Sequence, residues 1–201
     1  SSEEAAMAEP LAVCLHAIKQ AGKIFGQKVL ITGSGPIGTL CVAASRRAGA
    51  EEIIVTDISK NALTFANSIG ADRVINVLEE YDKLQIYKSN KGYFDIAIEC
   101  SGSEQGISDS INCLKPKGTL IQLGLGGDAL IPLVLVTTKE LNLRGSFRFH
   151  SEFELAVNMM KKKLINVNPL ITHKVDFKSA KKGFELALNN DEQSMKVQLS
   201  F

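Results

Sequence analysis

The chain lacks the features that mark several broad classes of protein. It has 23 Lys plus Arg and 22 Asp plus Glu, so its net charge of +1 gives no general attraction to nucleic acid or an anionic membrane. No apolar run approaches the roughly 20 residues that a membrane-spanning helix needs. The opening SSEEAAMAEP is short and acidic, unlike a signal peptide. We expect a cytoplasmic protein that binds neither nucleic acid nor membranes.

Cysteine and histidine are also scarce, and their spacing fits no familiar catalytic or metal motif. No CxxC pair is formed by Cys14, Cys41, Cys100 and Cys113. Each cysteine lies among apolar residues, which favours buried free thiols and a reducing compartment. HExxH and a Ser/His/Asp arrangement are absent, so nothing favours hydrolysis. We interpret His16, between Leu15 and Ile18, as a packed structural histidine.

What the sequence does contain is a regular alternation of strand and helix patterns. The candidate strands are 27–32, 52–56, 73–76, 94–99, 119–124 and 141–147. Helical spacing of apolar residues follows several of them, and 79–90 is a weak helix candidate. Such alternation implies right-handed crossovers and a parallel sheet covered on both faces. The sequence therefore predicts an α/β fold with a doubly wound, Rossmann-type sheet of about six strands.

Two segments lie outside this alternation. Apolar spacing over 9–22 predicts a helix that begins at Pro10, a residue suited to the first helical position, and ends at Gly22. Residues 150–201 contain two helix candidates, the second near 178–189, and strand candidates in ITHKVDF and KVQLSF. With 45% hydrophobic residues, the 201-residue chain can form one full core and a small appendage.

A glycine motif indicates dinucleotide binding. Gly33, Gly35 and Gly38 form GxGxxG between a strand and a helix, and Asp57 follows about 20 residues later at the end of the next strand. Gly33 permits a tight turn, Gly35 lets a pyrophosphate approach the backbone, and Gly38 lets the helix pack close to the strand. The N–H groups at the helix start then hold the phosphate charge.

Asp57 predicts the choice of cofactor. Its carboxylate is expected to accept hydrogen bonds from the adenosine ribose, and at about 4 Å it would repel a 2′-phosphate by roughly 4 kcal/mol per unit charge. No Arg follows at once, although Lys60 offsets part of the repulsion. We therefore expect NAD, with NADP less favoured. The alternative is that Asp57 caps the helix at 60–69, a role that Ser59 can also fill.

Several segments together resemble the medium-chain, zinc-dependent alcohol dehydrogenases, in their sorbitol dehydrogenase-like branch. They are AEPLAVCLHAI, VLITGSGPIG, IIVTDIS, KGYFDIAIECSG, KPKGTLIQLGLGG and LRGSFRFHSEFELAV. Within that branch, KGYFD, LRGSFRF–SEF and KVQL–F are most similar to the L-idonate 5-dehydrogenases. The resemblance covers nearly the whole chain but begins inside the family pattern. We expect the family's upstream catalytic domain, with the Cys, His and Glu that hold catalytic zinc, to be absent.

The resemblance implies a division of the chain and an activity. Residues 1–22 would be a connecting helix from the catalytic domain, 23–149 the NAD-binding domain, and 150–201 a segment returning toward the catalytic domain. The implied reaction is zinc-assisted hydride transfer to NAD from a secondary hydroxyl of a polyol or sugar acid, with L-idonate oxidised to 5-ketogluconate as the first choice. Sorbitol and threonine are alternative substrates, and an isolated fragment that binds cofactor or dimerises without turnover is the alternative function. The chain alone is expected to be inactive, with zinc in the full-length enzyme only.

The resemblance also assigns one metal ligand and one catalytic residue. Glu9 matches a family glutamate that binds zinc or its water; alternatively, it only favours the start of the helix at Pro10. Arg148 would clamp a cofactor phosphate or a substrate oxygen; otherwise it is a surface arginine. Sorbitol enzymes often have Tyr where this chain has Phe149, which puts a hydroxyl contact with substrate in doubt.

The remaining cofactor positions implied by the resemblance fall in four segments. These would meet the pyrophosphate, follow a strand end, flank the nicotinamide, and line the cofactor and substrate pocket. In chain order they are Pro36, Ile37, Cys100, Ser101, Gly102, Leu123, Gly124, Leu125 and Phe147.

The segment ALIPLVLV at 129–136 is strongly apolar and has two interpretations. It belongs either to the core or to an interface, since an exposed apolar patch usually marks a partner. In the family that the chain resembles, the coenzyme domain supplies the dimer contact through the regions corresponding to 128–138 and 141–147. We therefore expect a homo-oligomer.

Overall fold

A computed structural model describes residues 1–188 and 194–201, with a main sheet of six strands. Along the chain these are β1 (Lys28–Thr32), β2 (Glu52–Asp57), β3 (Arg73–Asn76), β4 (Phe94–Glu99), β5 (Leu114–Gln122) and β6 (Asn142–Gly145). Their order is β3-β2-β1-β4-β5-β6, and each neighbouring pair is parallel. The central strands carry continuous buried runs, as two covered faces require. The predicted α/β fold with a doubly wound sheet is confirmed.

Helices lie between and around these strands. They are α1 (Ser2–Ala5), α2 (Ala8–Ala21), α3 (Pro36–Arg47), α4 (Lys60–Ile69), α5 (Tyr81–Gln85), α6 (Glu104–Cys113), α7 (Leu133–Thr138), α8 (Glu152–Lys161) and α9 (Ala180–Leu188). Short 3-10 turns occupy Ile86–Lys91, Asn168–Leu170 and Phe177–Ser179. A second, two-stranded parallel sheet consists of β7 (Ile171–Asp176) and β8 (Lys196–Ser200). Within the described ranges, no helix has the length and apolar character needed to cross a membrane.

Two hydrophobic clusters cover the two faces of the main sheet. Val29 and Ile31 belong to one cluster and Leu30 to the other, because successive side chains of a strand point to opposite faces. The first cluster also contains Leu11 of α2 and Ala156 of α8. All three predicted segments of the chain thus share one core, while the boundaries after 22 and 149 remain a prediction.

Several element boundaries differ from the sequence prediction, and three of the differences have a clear structural reason. Helix α2 begins at Ala8 rather than Pro10, since Pro10 still lies in the first turn, where backbone N–H groups have no partner inside the helix. Strand β5 begins at Leu114 rather than 119, because Leu114 pairs with Phe94 before the register shifts. Strand β6 ends at Gly145 rather than 147, because Gly145 pairs with Gln122, the last residue of β5.

A buried carboxylate joins α2 to α8. Glu152 is 2% exposed, and it accepts hydrogen bonds from Lys19 Nζ at 2.8 Å and from the backbone N–H of His150 at 2.8 Å. The Nδ1 atom of His16 lies 3.3 Å from Oε2 of Glu152. His16 is only 7% exposed, which confirms it as a packed histidine. Glu152 therefore fixes the helix that carries Glu9.

We expect Glu152→Gln to destabilise the fold at neutral pH by about 2 kcal/mol, since hydrogen bonds to the charged carboxylate are lost. Burial alone would raise the pKa of Glu152, but the hydrogen bonds from Lys19 and His150 outweigh it and lower the pKa to about 2, from 4.5. A lowered folded-state pKa contributes stability above pH 4.5 that is lost as the pH falls toward 2. Urea unfolding should show that the difference in the free energy of unfolding between parent and variant shrinks as the pH falls from 4.5 toward 2.

Glu154→Gln, on the exposed side of α8, is the matched control. It should leave the free energy of unfolding unchanged within about 0.5 kcal/mol. If the difference in the free energy of unfolding between parent and Glu152→Gln stays constant from pH 7 to pH 3, the assigned role of Glu152 is contradicted.

Candidate functional site

The candidate site lies at the carboxyl ends of β1 and β4. These strands are neighbours at the centre of the sheet, and the strand order runs in opposite directions on either side of them. In open α/β sheets, a ligand-binding crevice forms at such a switch point. The glycine loop follows β1, and the segment Cys100–Gly102 follows β4, so two of the predicted cofactor segments meet here.

Each glycine of the motif has its own structural reason. Gly33 has a φ of +85°, and an added Cβ would lie 2.7 Å from the backbone nitrogen of Ser101. At Gly38 a Cβ would lie only 1.9 Å from the carbonyl oxygen of Gly33. Gly35 has nothing within 4 Å of a built Cβ, so open space remains at the start of α3. The turn at Gly33 and the close packing at Gly38 occur where the motif predicts them, and Gly35 borders open space.

Pro36 and Ile37 form the first turn of α3, with Gly35 as its N-cap. The carbonyl of Ile37 accepts a hydrogen bond from Cys14 Sγ at 3.3 Å, which links α3 to α2. Helix α3 thus directs its unpaired N–H groups toward the space beside Gly35, as anion binding at a helix start requires.

Asp57 lies beside the glycine loop. Its Oδ2 accepts the backbone N–H of Ser34 at 2.6 Å, and its Oδ1 accepts that of Ser59 at 2.7 Å. Ser59 is the N-cap of α4 and accepts the N–H of Ala62 at 3.3 Å. The alternative that Asp57 caps this helix is therefore wrong, and its carboxylate is held between the ends of β1 and β2.

A groove of about 1170 Å³ opens beside Asp57, and we call it the Asp57 groove. Its lining includes Gly35, Pro36, Asp57, Lys60, Glu79 and Lys196. It joins the glycine loop to the outer side of α4 and to the first residues of β8. Lys60 was already expected near the cofactor, because it follows Asp57 by three residues. Glu79 and Lys196 were not predicted, because only tertiary packing brings them to Asp57.

Glu99, the last residue of β4, is a fully buried carboxylate that the sequence analysis did not single out. Its Oε1 accepts hydrogen bonds from Ser101 N at 2.8 Å, Ser101 Oγ and Thr32 Oγ1 at 3.3 Å. Its Oε2 accepts from Gly102 N at 3.0 Å and Gln122 Nε2 at 2.7 Å. Every one of these partners is neutral. Glu99 thus joins the ends of β1, β4 and β5.

The segment Leu123–Leu125 packs directly on Gly102. The backbone N–H groups of Leu123 and Gly124 donate to the carbonyl of Glu99 at 2.9 and 2.8 Å. A Cβ at Gly124 would lie 2.3 Å from the backbone nitrogen of Gly102. Leu125 is 81% exposed. The structure therefore brings together the predicted segments after β1, β4 and β5.

Phe147 and Arg148 follow β6 and do not join this cluster through hydrogen bonds. Phe147 is 62% exposed, and the guanidinium carbon of Arg148 lies 5.3 Å from the centre of its ring. Arg148 has a φ of +55°, unusual for a residue other than glycine. Over residues 1–188 and 194–201, no hydrogen bond joins Arg148 to the glycine loop or to Asp57.

Glu9 is exposed in the first turn of α2. The described residues contain no group of three or more His, Cys, Asp or Glu side chains placed to hold a metal ion. The four cysteines are free thiols, as predicted; Cys14, Cys41 and Cys113 are buried, while Cys100 is half-buried at the end of β4. Within residues 1–188 and 194–201, the side chains therefore do not fit a zinc site.

Comparison with known proteins places this geometry in a family. A family model described as zinc-binding dehydrogenase matches residues 36–162. L-idonate 5-dehydrogenase (NAD(P)(+)) of Escherichia coli K12 is 39% identical over 197 residues, which make up 98% of this chain and 57% of that protein. Sorbitol dehydrogenase of Bos taurus is 37% identical over 188 residues, 91% of this chain and 52% of that protein.

The fold agrees with these relatives. A crystal structure of L-idonate 5-dehydrogenase from Escherichia coli K-12 matches with a TM-score of 0.95 and 38% identity, over 100% of this chain and 57% of that one. The chain thus spans about half the length of the curated relatives it matches. The resemblance seen in the sequence motifs is confirmed. This chain belongs to the zinc-binding dehydrogenase family.

Proposed function

We propose that the chain binds NAD⁺ along the carboxyl ends of β2, β1 and β4, as part of an enzyme that oxidises a secondary hydroxyl of a polyol or sugar acid. The observation that carries this proposal is the placement of Asp57, which hydrogen bonds to the glycine loop at the edge of the Asp57 groove. The space beside Gly35 supports it, because a phosphate can reach the start of α3 there.

The chain's own residues would bind and orient the cofactor. The first turn of α3, with Pro36 and Ile37, would hold the pyrophosphate, and Asp57 would accept the ribose hydroxyls. Cys100, Ser101 and Gly102 on one side, and Leu123, Gly124 and Leu125 on the other, would border the nicotinamide. NAD⁺, when bound, supplies the hydride acceptor. These residues determine which face of the ring meets the substrate.

NAD⁺ is the preferred cofactor in this proposal. The carboxylate of Asp57 is fixed by two backbone N–H groups, so it cannot easily turn away from a 2′-phosphate. The repulsion is roughly 4 kcal/mol per unit charge at about 4 Å. The name of the E. coli relative includes both NAD⁺ and NADP⁺. Comparing the affinities of this chain for the two cofactors therefore tests the role of Asp57.

The substrate proposal rests on the relatives. Their names include L-idonate and sorbitol, and oxidation of L-idonate to 5-ketogluconate is our first choice. Sorbitol and threonine remain alternatives. We propose that Phe147 and Arg148 face the substrate side, with Arg148 contacting a substrate oxygen or a cofactor phosphate. The free cysteines support a reducing, cytoplasmic location.

The described residues do not form a zinc site. Glu9 alone provides one exposed carboxylate, and a single carboxylate does not retain zinc. Glu9 would act as a ligand only beside further ligands that the described residues do not provide.

Calorimetric titration of the chain with NAD⁺ and NADP⁺, beside Asp57→Ala, tests the proposal. We expect NAD⁺ to bind more tightly than NADP⁺. Asp57→Ala should weaken NAD⁺ binding about tenfold, because hydrogen bonds to a charged acceptor are worth about 1.5 kcal/mol. Asp82→Ala, an exposed carboxylate in α5, is the control and should change neither Kd. An unchanged NAD⁺ affinity in Asp57→Ala would refute the proposed role of Asp57.

We also propose that the chain forms a homo-oligomer through α7 and β6. The segment before and within α7 exposes large apolar side chains: Leu130 (80%), Leu133 (67%) and Val134 (76%). Leu143 of β6, the last strand in the sheet order, is 39% exposed. We expect light scattering to give at least a dimer, and Val134→Asp to give a monomer, since a buried unpaired charge opposes association. A monomeric parent would contradict this proposal.

A further inference from the structure

The outer wall of the Asp57 groove contains an ion pair between Lys60 and Glu79. Lys60, the first residue of α4, lies three positions after Asp57, and its Nζ is 2.8 Å from Glu79 Oε1. Glu79 follows β3, so the pair spans the gap between α4 and the next strand. Both side chains line the Asp57 groove.

The charges in this part of the groove constrain what Lys60 can bind. The hydrogen bond from Lys60 to Glu79, followed by the Coulomb attraction of Glu79 and Glu80, raises the pKa of Lys60. The positive charge of Lys60 is therefore stabilised by carboxylates of this chain, chiefly that of Glu79. A phosphate approaching Asp57 would meet two carboxylates, Asp57 and Glu79, and a lysine whose charge Glu79 already balances. Among the described residues that line the groove, Lys196 is the other basic one.

We infer that Glu79 is a specificity-determining residue for the cofactor, which favours NAD⁺ by pairing with Lys60 and denying that cation to a 2′-phosphate. The inference rests on the proposed function, because it assumes that the adenosine ribose reaches Asp57. It separates two sources of selectivity: Asp57 repels the phosphate directly, and Glu79 removes the nearest compensating charge. Without Glu79, Lys60 can turn toward the phosphate from the first turn of α4, three positions after Asp57.

Titration of the 201-residue chain with NAD⁺ and NADP⁺ tests this inference through binding alone. We expect Glu79→Gln to lower the Kd for NADP⁺ about fivefold, as suits an exposed charge pair, and to leave the Kd for NAD⁺ within about twofold. Raising the ionic strength from about 0.05 M to about 0.5 M should shrink the gain, because exposed charges are screened.

Three variants assign the effect to the pair. Glu80→Gln removes the same negative charge from the neighbouring residue. Because Glu80 pairs with Lys83 at 2.5 Å, the Kd for NADP⁺ should stay near that of the parent. Adding Lys60→Met to Glu79→Gln should abolish the gain. Adding Lys196→Met instead should preserve most of it.

The outcomes distinguish the inference from the proposal beneath it. If the parent binds neither cofactor, both the proposed function and the inference are overturned. If the parent binds NAD⁺ but Glu79→Gln shows no improvement for NADP⁺, the inference alone is overturned. The same holds if Glu80→Gln improves NADP⁺ binding as much as Glu79→Gln, because the effect is then general charge rather than the pair.

Discussion

Replacing Gly38 with alanine is expected to weaken NAD⁺ binding at least about a hundredfold, a loss of about 3 kcal/mol. The new Cβ would lie 1.9 Å from the carbonyl oxygen of Gly33, so α3 cannot keep its place against the end of β1. Moving α3 displaces the N–H groups proposed to hold the pyrophosphate. Overpacking of this kind also costs stability, about 1–3 kcal/mol. Calorimetry with NAD⁺ and urea unfolding measure the two effects.

Gly127→Ala is the matched control for this experiment. An added Cβ at Gly127 has nothing within 4 Å, so the same chemical change should leave the Kd and the unfolding midpoint near those of the parent. If Gly38→Ala binds NAD⁺ like the parent, the close packing of α3 on β1 does not position the phosphate site, and our interpretation of the motif is wrong.

The fold and the glycine loop were predictable because their signals are local. A doubly buried strand such as β2 reads as a continuous apolar run, and helical spacing after it identifies α4. Gly33 is specified by its positive φ, and Gly38 by a packing distance that leaves no room for a Cβ. The family resemblance then extended the prediction to Leu123–Leu125, whose contact with Gly102 is a feature of tertiary structure.

The polar interior was not predictable, because it depends on residues distant in sequence. Glu99 ends an apolar strand like any strand-end residue, and only the folded chain brings Thr32 and Gln122 to it. The pairing of Lys60 with Glu79 is likewise set by the neighbouring positions of α4 and β3. The early start of β5 depends on Phe94 of the adjacent strand.

Glu99 leads to a second prediction of large effect. We expect Glu99→Ala to lower the free energy of unfolding by about 4 kcal/mol, because it leaves buried N–H and hydroxyl donors without an acceptor. Glu99→Gln should cost less, about 2 kcal/mol, because one carboxylate oxygen is replaced by an amide that must face donors. Urea unfolding measures both changes. The control is Glu104→Gln in the exposed first turn of α6, which should cost less than about 0.5 kcal/mol.

The loss should reach cofactor binding as well as stability. Glu99 holds Ser101 and Gly102, and Gln122 in turn donates to the carbonyl of Gly124 at 3.0 Å, so the carboxylate fixes both loops proposed to border the nicotinamide. In folded Glu99→Gln we expect NAD⁺ to bind about tenfold more weakly.

A reciprocal exchange tests whether complementarity at Glu99 is the cause. Glu99→Gln combined with Gln122→Glu restores a donor facing an acceptor across the 2.7 Å contact, so it should recover part of the stability. The NAD⁺ affinity should stay low, because a carboxylate at position 122 cannot donate to the carbonyl of Gly124. If the double variant loses as much free energy of unfolding as the two single variants together, Glu99 and Gln122 are not coupled. Glu99 then does not position the loops through Gln122. If stability returns without affinity, the hydrogen bond from Gln122 to Gly124 holds the loop proposed to border the nicotinamide, and the contact with Glu99 supports the fold.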